Sequence, residues 1–76
     1  MDLAELESLI ESGIPDAEAT VTRPRGPEDD DHLAAEVVSP AFEGKRLVEQ
    51  HEMVYDALGD RMTTDIHALE VRTETP

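Results

Sequence analysis

Cysteine is missing from this 76-residue chain. It can form no disulfide and offer no thiolate, so any metal–sulfur site it joins must take its sulfur from another molecule. Tryptophan is missing too, and Phe42 and Tyr55 are the only phenylalanine and tyrosine. No apolar run approaches the roughly 18 residues that a membrane span needs. Met1-Asp2-Leu3-Ala4-Glu5 has no basic region leading into an apolar stretch, so the expected compartment is the cytoplasm. There is no Gly-rich phosphate loop, and no serine or threonine stands with a histidine and an acid in a recognisable nucleophile arrangement. Carboxylates are plentiful, but their number follows from composition, and no pair stands out as general acid and base. These absences argue against an enzyme.

Positive charge is the other scarcity. Nineteen acidic residues face six basic ones, Lys45 being the single lysine, for a net charge of −13. Self-repulsion on this scale costs stability at low salt. The acids are spread over every segment, the pattern of proteins adapted to a salt-rich cytoplasm, and a halophilic archaeal origin is expected from it. An acidic chain poor in aromatics can also be disordered. Here 38% of residues are hydrophobic and they recur periodically, which favours a fold. The length suits one domain over residues 1–76, burying only about 60% of the surface its unfolded chain exposes.

Leu3, Leu6, Leu9 and Ile10 recur at helical spacing and predict a helix over 3–12, ended by Gly13. Ala17, Ala19 and Val21 alternate with polar residues as a half-buried strand does. Arg23 to Asp31 carries two prolines, a glycine and four consecutive acids, and reads as a solvated loop. A second strand over 32–39 puts Leu33, Ala35 and Val37 on one face, and Ser39-Pro40 stops it. From 44 to 58, Leu47, Val48, His51, Val54, Tyr55 and Leu58 fall on one stripe, which predicts the longest helix with that stripe inward and with His51 and Tyr55 as packing residues. Gly59 breaks it, and 60–64 forms a turn or short helix. The last strand, over 66–73, sets His67 on a face with Leu69 and Val71.

The order α-β-β-α-(α)-β predicts an α+β domain. The first two strands pair antiparallel, and a helical crossover makes the second and third parallel. Parallel neighbours begin at one sheet edge. His32 opens the second strand and His67 the third, within reach of one metal or cluster given the roughly 4.8 Å between strands. Neutral imidazole is a common transition-metal ligand. Alone, His67 reads more simply as a strand histidine bonded to a backbone carbonyl, and His32 as a solvated loop histidine. Two histidines leave a tetrahedral site incomplete unless Asp29, Asp30 or Asp31 joins. The acidic run lacks the glycine and terminal glutamate of an EF-hand loop.

Phe42-x-Gly44-x-x-Leu47-Val48, His51-x-x-Val54-Tyr55-x-x-Leu58, Ile66-His67-Ala68-Leu69 and Thr73-x-Thr75-Pro76 occur here in order. In this order and spacing they resemble the BolA family, over about His32 to Pro76. The resemblance implies a class II KH-like fold, a three-stranded mixed sheet with helices on one face. It implies a non-enzymatic adaptor in iron–sulfur trafficking or iron homeostasis that is monomeric alone. His67 then matches the ligand offered to a 2Fe–2S cluster shared with a monothiol glutaredoxin and a low-molecular-weight thiol. His32 matches the second, more variable ligand position. Many BolA-like chains continue into a final helix past Thr-x-Thr-Pro, and the sequence stopping at Pro76 leads us to expect a domain lacking it. Some members regulate transcription, which makes DNA binding the alternative. Gly59-Asp60-Arg61-Met62 fails the GXXG pattern of KH domains, Glu49, Gln50 and Glu52 surround His51, and a net charge of −13 opposes phosphate binding.

Overall fold

The computed structural model describes residues 2–64 and 66–76. Asp2 opens the first helix, α1 (Leu3–Gly13). Its Oδ1 accepts the N–H of Ala4 at 3.0 Å and of Glu5 at 3.4 Å, satisfying two donors that a helix start leaves without partners. Leu6 and Ile10 are buried, with Leu3 and Leu9 packed beside them. Gly13 belongs to the helix instead of ending it, and the cap is Ile14, whose N–H reaches Ile10 O at 3.1 Å. Glycine is required there by close approach: a Cβ at position 13 would lie 2.7 Å from the Cβ of Ala57 in the second long helix.

Strands β1 (Glu18–Thr22) and β2 (His32–Val38) pair antiparallel, with Glu18 opposite Val38 and Thr22 opposite Ala34. Strand β3 (Ala68–Glu74) runs parallel to β2, with His32 opposite Ala68 and Val38 opposite Glu74. The order β1-β2-β3 is the mixed sheet that the connection rules predict. Side chains alternate as expected: Leu33, Ala35 and Val37 are buried, whereas Glu36, Glu70 and Arg72 face solvent. Two α1 acids cover the outer edge of β1, with Glu7 Oε2 accepting Val21 N–H at 2.8 Å and Glu11 Oε2 accepting Ala19 N–H at 3.0 Å. An open edge invites pairing with other chains, so this placement explains two acids that helical periodicity left unassigned.

After β2, Ser39 turns the chain into a single 3-10 turn (Pro40–Phe42). Ser39 is fully buried. Its hydroxyl donates to Pro15 O at 2.6 Å and accepts Ala41 N–H at 3.1 Å, joining the entry to β1 to the exit from β2. Phe42 is buried in the core.

The next helix, α2, spans Leu47–Leu58, three residues shorter at its start than the apolar spacing suggests. Gly44 sits at φ 77° in a turn closed by Lys45 N–H on Phe42 O, and Arg46 is extended. Glu49 fixes the start by accepting Arg46 N–H at 2.9 Å.

The stripe assigned to α2 is also corrected. Val54 and Leu58 are buried, but Leu47 is 62%, Val48 56% and Tyr55 37% exposed, and His51 is half-buried. Met53, Ala57 and Gln50 line the inward side instead. Gln50 donates to Phe42 O and Lys45 O, and its Oε1 accepts the Thr73 hydroxyl at 2.5 Å, anchoring α2 to the end of β3. Gly59 ends the helix at φ 56°, ψ −129°, a conformation glycine adopts without the Cβ penalty. A short helix, α3 (Arg61–Thr64), follows, with Arg61 paired to Glu5 of α1. Among the described residues, eleven hydrophobic ones form one buried cluster, drawn from α1, β1, β2, the 3-10 turn and α2 together with Ile14 and Ile66, and Met62, Leu69 and Val71 pack against it.

Candidate histidine site at the start of the parallel strands

The site grows from the first rung of the β2–β3 ladder, where Ala68 N–H donates to Asp31 O at 2.8 Å. His32 is the residue after that carbonyl, and His67 the residue before that amide. Their rings come together at 6.1 Å between centroids, crossed at 80°. Two imidazoles each bound about 2 Å from one metal have centroids roughly 5–6.5 Å apart, so the observed spacing falls within the reach of a shared site.

Strict alternation would put these side chains on opposite faces, His32 being out of phase with Leu33 and His67 in phase with Leu69. The structure resolves this because β3 begins at Ala68 and not at Ile66. His67 lies in the bend before the strand and is exposed, whereas Ile66 is buried with its N–H on Arg61 O at 2.9 Å. His67 is thus held by a buried neighbour on one side and a strand on the other, yet is free of the pleat. His32 keeps its place as the first residue of β2, with its side chain 34% exposed.

The acidic loop is more organised than a solvated run. Asp29 Oδ1 accepts the N–H of Asp31 at 2.8 Å and of His32 at 3.3 Å, while Oδ2 lies 3.0 Å from His32 Nδ1. The Asp31 amide, then the His32 side chain, hold the Asp29 carboxyl below its ordinary value. Asp30 is likewise lowered by its hydrogen bond from Arg23 Nε, at 2.7 Å. A turn with Gly26 at φ 122° closes the loop, Gly26 N–H meeting Arg23 O and Asp29 N–H meeting Gly26 O. Of the three aspartates weighed as additional ligands, Asp29 contacts a histidine ring, Asp30 turns to Arg23, and Asp31 contributes its carbonyl to the ladder.

Among the described residues no three His, Cys, Asp or Glu converge so as to hold a metal ion. The two imidazoles thus stand as a pair outside any such three-residue cluster, with His67 exposed and His32 half-buried. His51 lies on α2, apart from this edge. No helix among the described residues is long and apolar enough to cross a membrane.

A family profile described as BolA-like protein matches residues 13–76. The chain is 36% identical over 76 residues to SufE-like protein 1, chloroplastic/mitochondrial, of Arabidopsis thaliana, covering 100% of this chain and 20% of that protein. It is 36% identical over 44 residues to the DNA-binding transcriptional regulator BolA of Escherichia coli strain K12, covering 58% of this chain and 42% of the regulator. The chain thus spans well under two thirds of either relative. A solved bolA protein homologue from Coxiella burnetii superposes with a TM-score of 0.83 at 34% identity, over 100% of this chain and 92% of that one. The mixed sheet, the helices on one of its faces and the match over residues 13–76 agree, and the chain belongs to the BolA family.

Proposed function

We propose that this protein is a non-enzymatic adaptor in iron–sulfur cluster trafficking or iron homeostasis, offering His67, with His32 beside it, to a 2Fe–2S cluster held jointly with a monothiol glutaredoxin. The observation that carries this reading is the 6.1 Å approach of two histidine rings at one sheet edge, with His67 exposed. Imidazole nitrogens can replace thiolates on one iron of such a cluster. With no cysteine in the sequence, the sulfur ligands come from the glutaredoxin and its low-molecular-weight thiol. The chain's own part is to bind and orient: the Asp31–Ala68 rung fixes the spacing of the two backbones, and buried Ile66 anchors the residue before His67. On this reading the protein works in a salt-rich cytoplasm, to which its acidic surface is suited.

Anaerobic addition of this protein to a monothiol glutaredoxin loaded with its cluster should change the visible absorption and circular dichroism of the cluster at a one-to-one ratio. An unchanged spectrum across the titration contradicts the proposal.

The second reading, a DNA-binding regulator, is favoured by similarity to the E. coli transcriptional regulator. The net charge of −13 opposes it, since cationic contacts to phosphate supply most nonspecific affinity. A duplex-binding titration at several salt concentrations decides it, and absence of specific binding under native-like salt eliminates it.

A further inference from the structure

The geometry points to Asp29 as a positioning residue that sets which nitrogen His32 presents, holding the proton on Nδ1 so that Nε2 carries the lone pair offered to an incoming metal centre. The inference rests on the cluster reading for its purpose, but not for its first test.

The two carboxylate oxygens of Asp29 have different duties. Oδ1 of Asp29 is committed to the backbone, taking the N–H groups of Asp31 and His32, while Oδ2 faces Nδ1 of the His32 ring at 3.0 Å. An ionised carboxylate only accepts hydrogen bonds, and a neutral imidazole has one donor and one acceptor nitrogen. A neutral His32 in this contact must therefore donate from Nδ1, and its lone pair resides on Nε2. Histidines that bind metals commonly give their second N–H to a carboxylate in this way, which fixes the tautomer and the ring plane. The backbone bonds make the contact rigid, because the same carboxylate that orients the ring also defines the turn from which the ring projects.

Asp29→Asn separates positioning from folding. The amide oxygen can keep both backbone N–H groups and so preserve the turn. Its NH₂ then faces Nδ1 in place of Oδ2, and a donor there requires the proton on Nε2. The near-isosteric change should thus invert the tautomer and cover the nitrogen that would bind.

The first readout is the ¹⁵N–¹H long-range correlation spectrum of the protein alone at alkaline pH, where imidazoles are neutral. The expected result is His32 protonated on Nδ1 in the wild type and on Nε2 in Asp29→Asn, with backbone amide resonances outside the loop unchanged. Wild-type His32 protonated on Nε2, or a tautomer unaltered by Asp29→Asn, overturns the inference. The second readout is loss of cluster to a chelator from the complex with glutaredoxin, which Asp29→Asn should speed about 10–100-fold, the usual effect of removing such a partner, matching His32→Ala. If His67→Ala alters the complex while Asp29→Asn does not, Asp29 has no positioning role towards the cluster. If the tautomer inverts but neither histidine variant alters the complex, the cluster reading fails and the hydrogen-bond assignment stands.

Discussion

Replacing Gly13 by alanine tests the packing of α1 on α2. In an ordinary helix this change is favourable by up to about 1 kcal/mol, since alanine is the better helix former, and Gly13 has no positive φ to forbid it. Here the new methyl carbon would sit 2.7 Å from Ala57 Cβ and 3.1 Å from Ala57 Cα, against a comfortable carbon separation of about 3.5–4.0 Å. Neither Ala57 atom has a rotamer to escape by, so the helices must part by roughly 1 Å. Such a gap forfeits about a quarter to a half of each dispersion contact across it, and Ile10 of α1 and Val54 and Leu58 of α2 belong to the buried core. Overpacking of this kind costs about 1–3 kcal/mol. Less a propensity gain of up to about 1 kcal/mol, this leaves a net loss centred on about 1 kcal/mol, or a melting temperature lower by roughly 4–8 °C for a domain of this size. Circular dichroism melts and urea titrations measure it. Ala57→Gly alone should cost about 1 kcal/mol in propensity, yet the double variant should recover much of the Gly13→Ala loss, because it moves the methyl across the crossing. A Gly13→Ala protein as stable as the wild type, or more so, refutes the reasoning and returns Gly13 to the role of a helix terminator.

Three further outcomes follow from other contacts. Ser39→Ala should destabilise the fold by about 1–3 kcal/mol in urea titrations, because it removes a fully buried hydroxyl that makes two hydrogen bonds, to the carbonyl of Pro15 and from the amide of Ala41. Asp30, held below its ordinary value of 3.8 by Arg23, contributes stability that is present above that value and lost as pH falls through its lower folded value. The stability difference between wild type and Asp30→Asn should accordingly decline on acidification below about pH 4, and a difference that grows there contradicts the assignment. Finally, with a net charge of −13 and a radius of gyration of 11.6 Å, much of the self-repulsion acts within one Debye length at about 0.1 M salt and is screened at about 1 M. The melting temperature should rise between those potassium chloride concentrations, and a flat response argues against a salt-adapted protein.

The element order was legible because period-two and helical patterns are both present and connection rules left few ways to join them. The common edge of His32 and His67 followed from the parallel crossover. Alternation alone misplaced His67, since a pattern in sequence does not show that pairing begins at Ala68 and leaves His67 in a bend. The face of α2 was misread for a related reason. The stripe through Leu47, Val48, His51, Val54, Tyr55 and Leu58 holds only two residues of the inward side, Val54 and Leu58, and it passes over Gln50, Met53 and Ala57, two of which are polar or small and carry little hydropathy signal. Close approach to Gly13 makes Ala57 fit, and bonds to Phe42, Lys45 and Thr73 make Gln50 fit. Both are tertiary facts. Gly13 itself looked like a terminator, as a glycine after a helical run usually does. Asp29 was hidden among four consecutive acids, where only a glycine turn and an Asp–X–X–His spacing hinted at its bond to His32.

The central claim is that His67 is the chain's offered ligand, and replacing that residue tests it most directly. The visible circular dichroism of the 2Fe–2S complex with a monothiol glutaredoxin should differ between wild type and His67→Ala, while His51→Ala, altered on a helix away from the site, should reproduce the wild-type spectrum. A His67→Ala complex with the wild-type spectrum and the same affinity for the glutaredoxin would contradict the account.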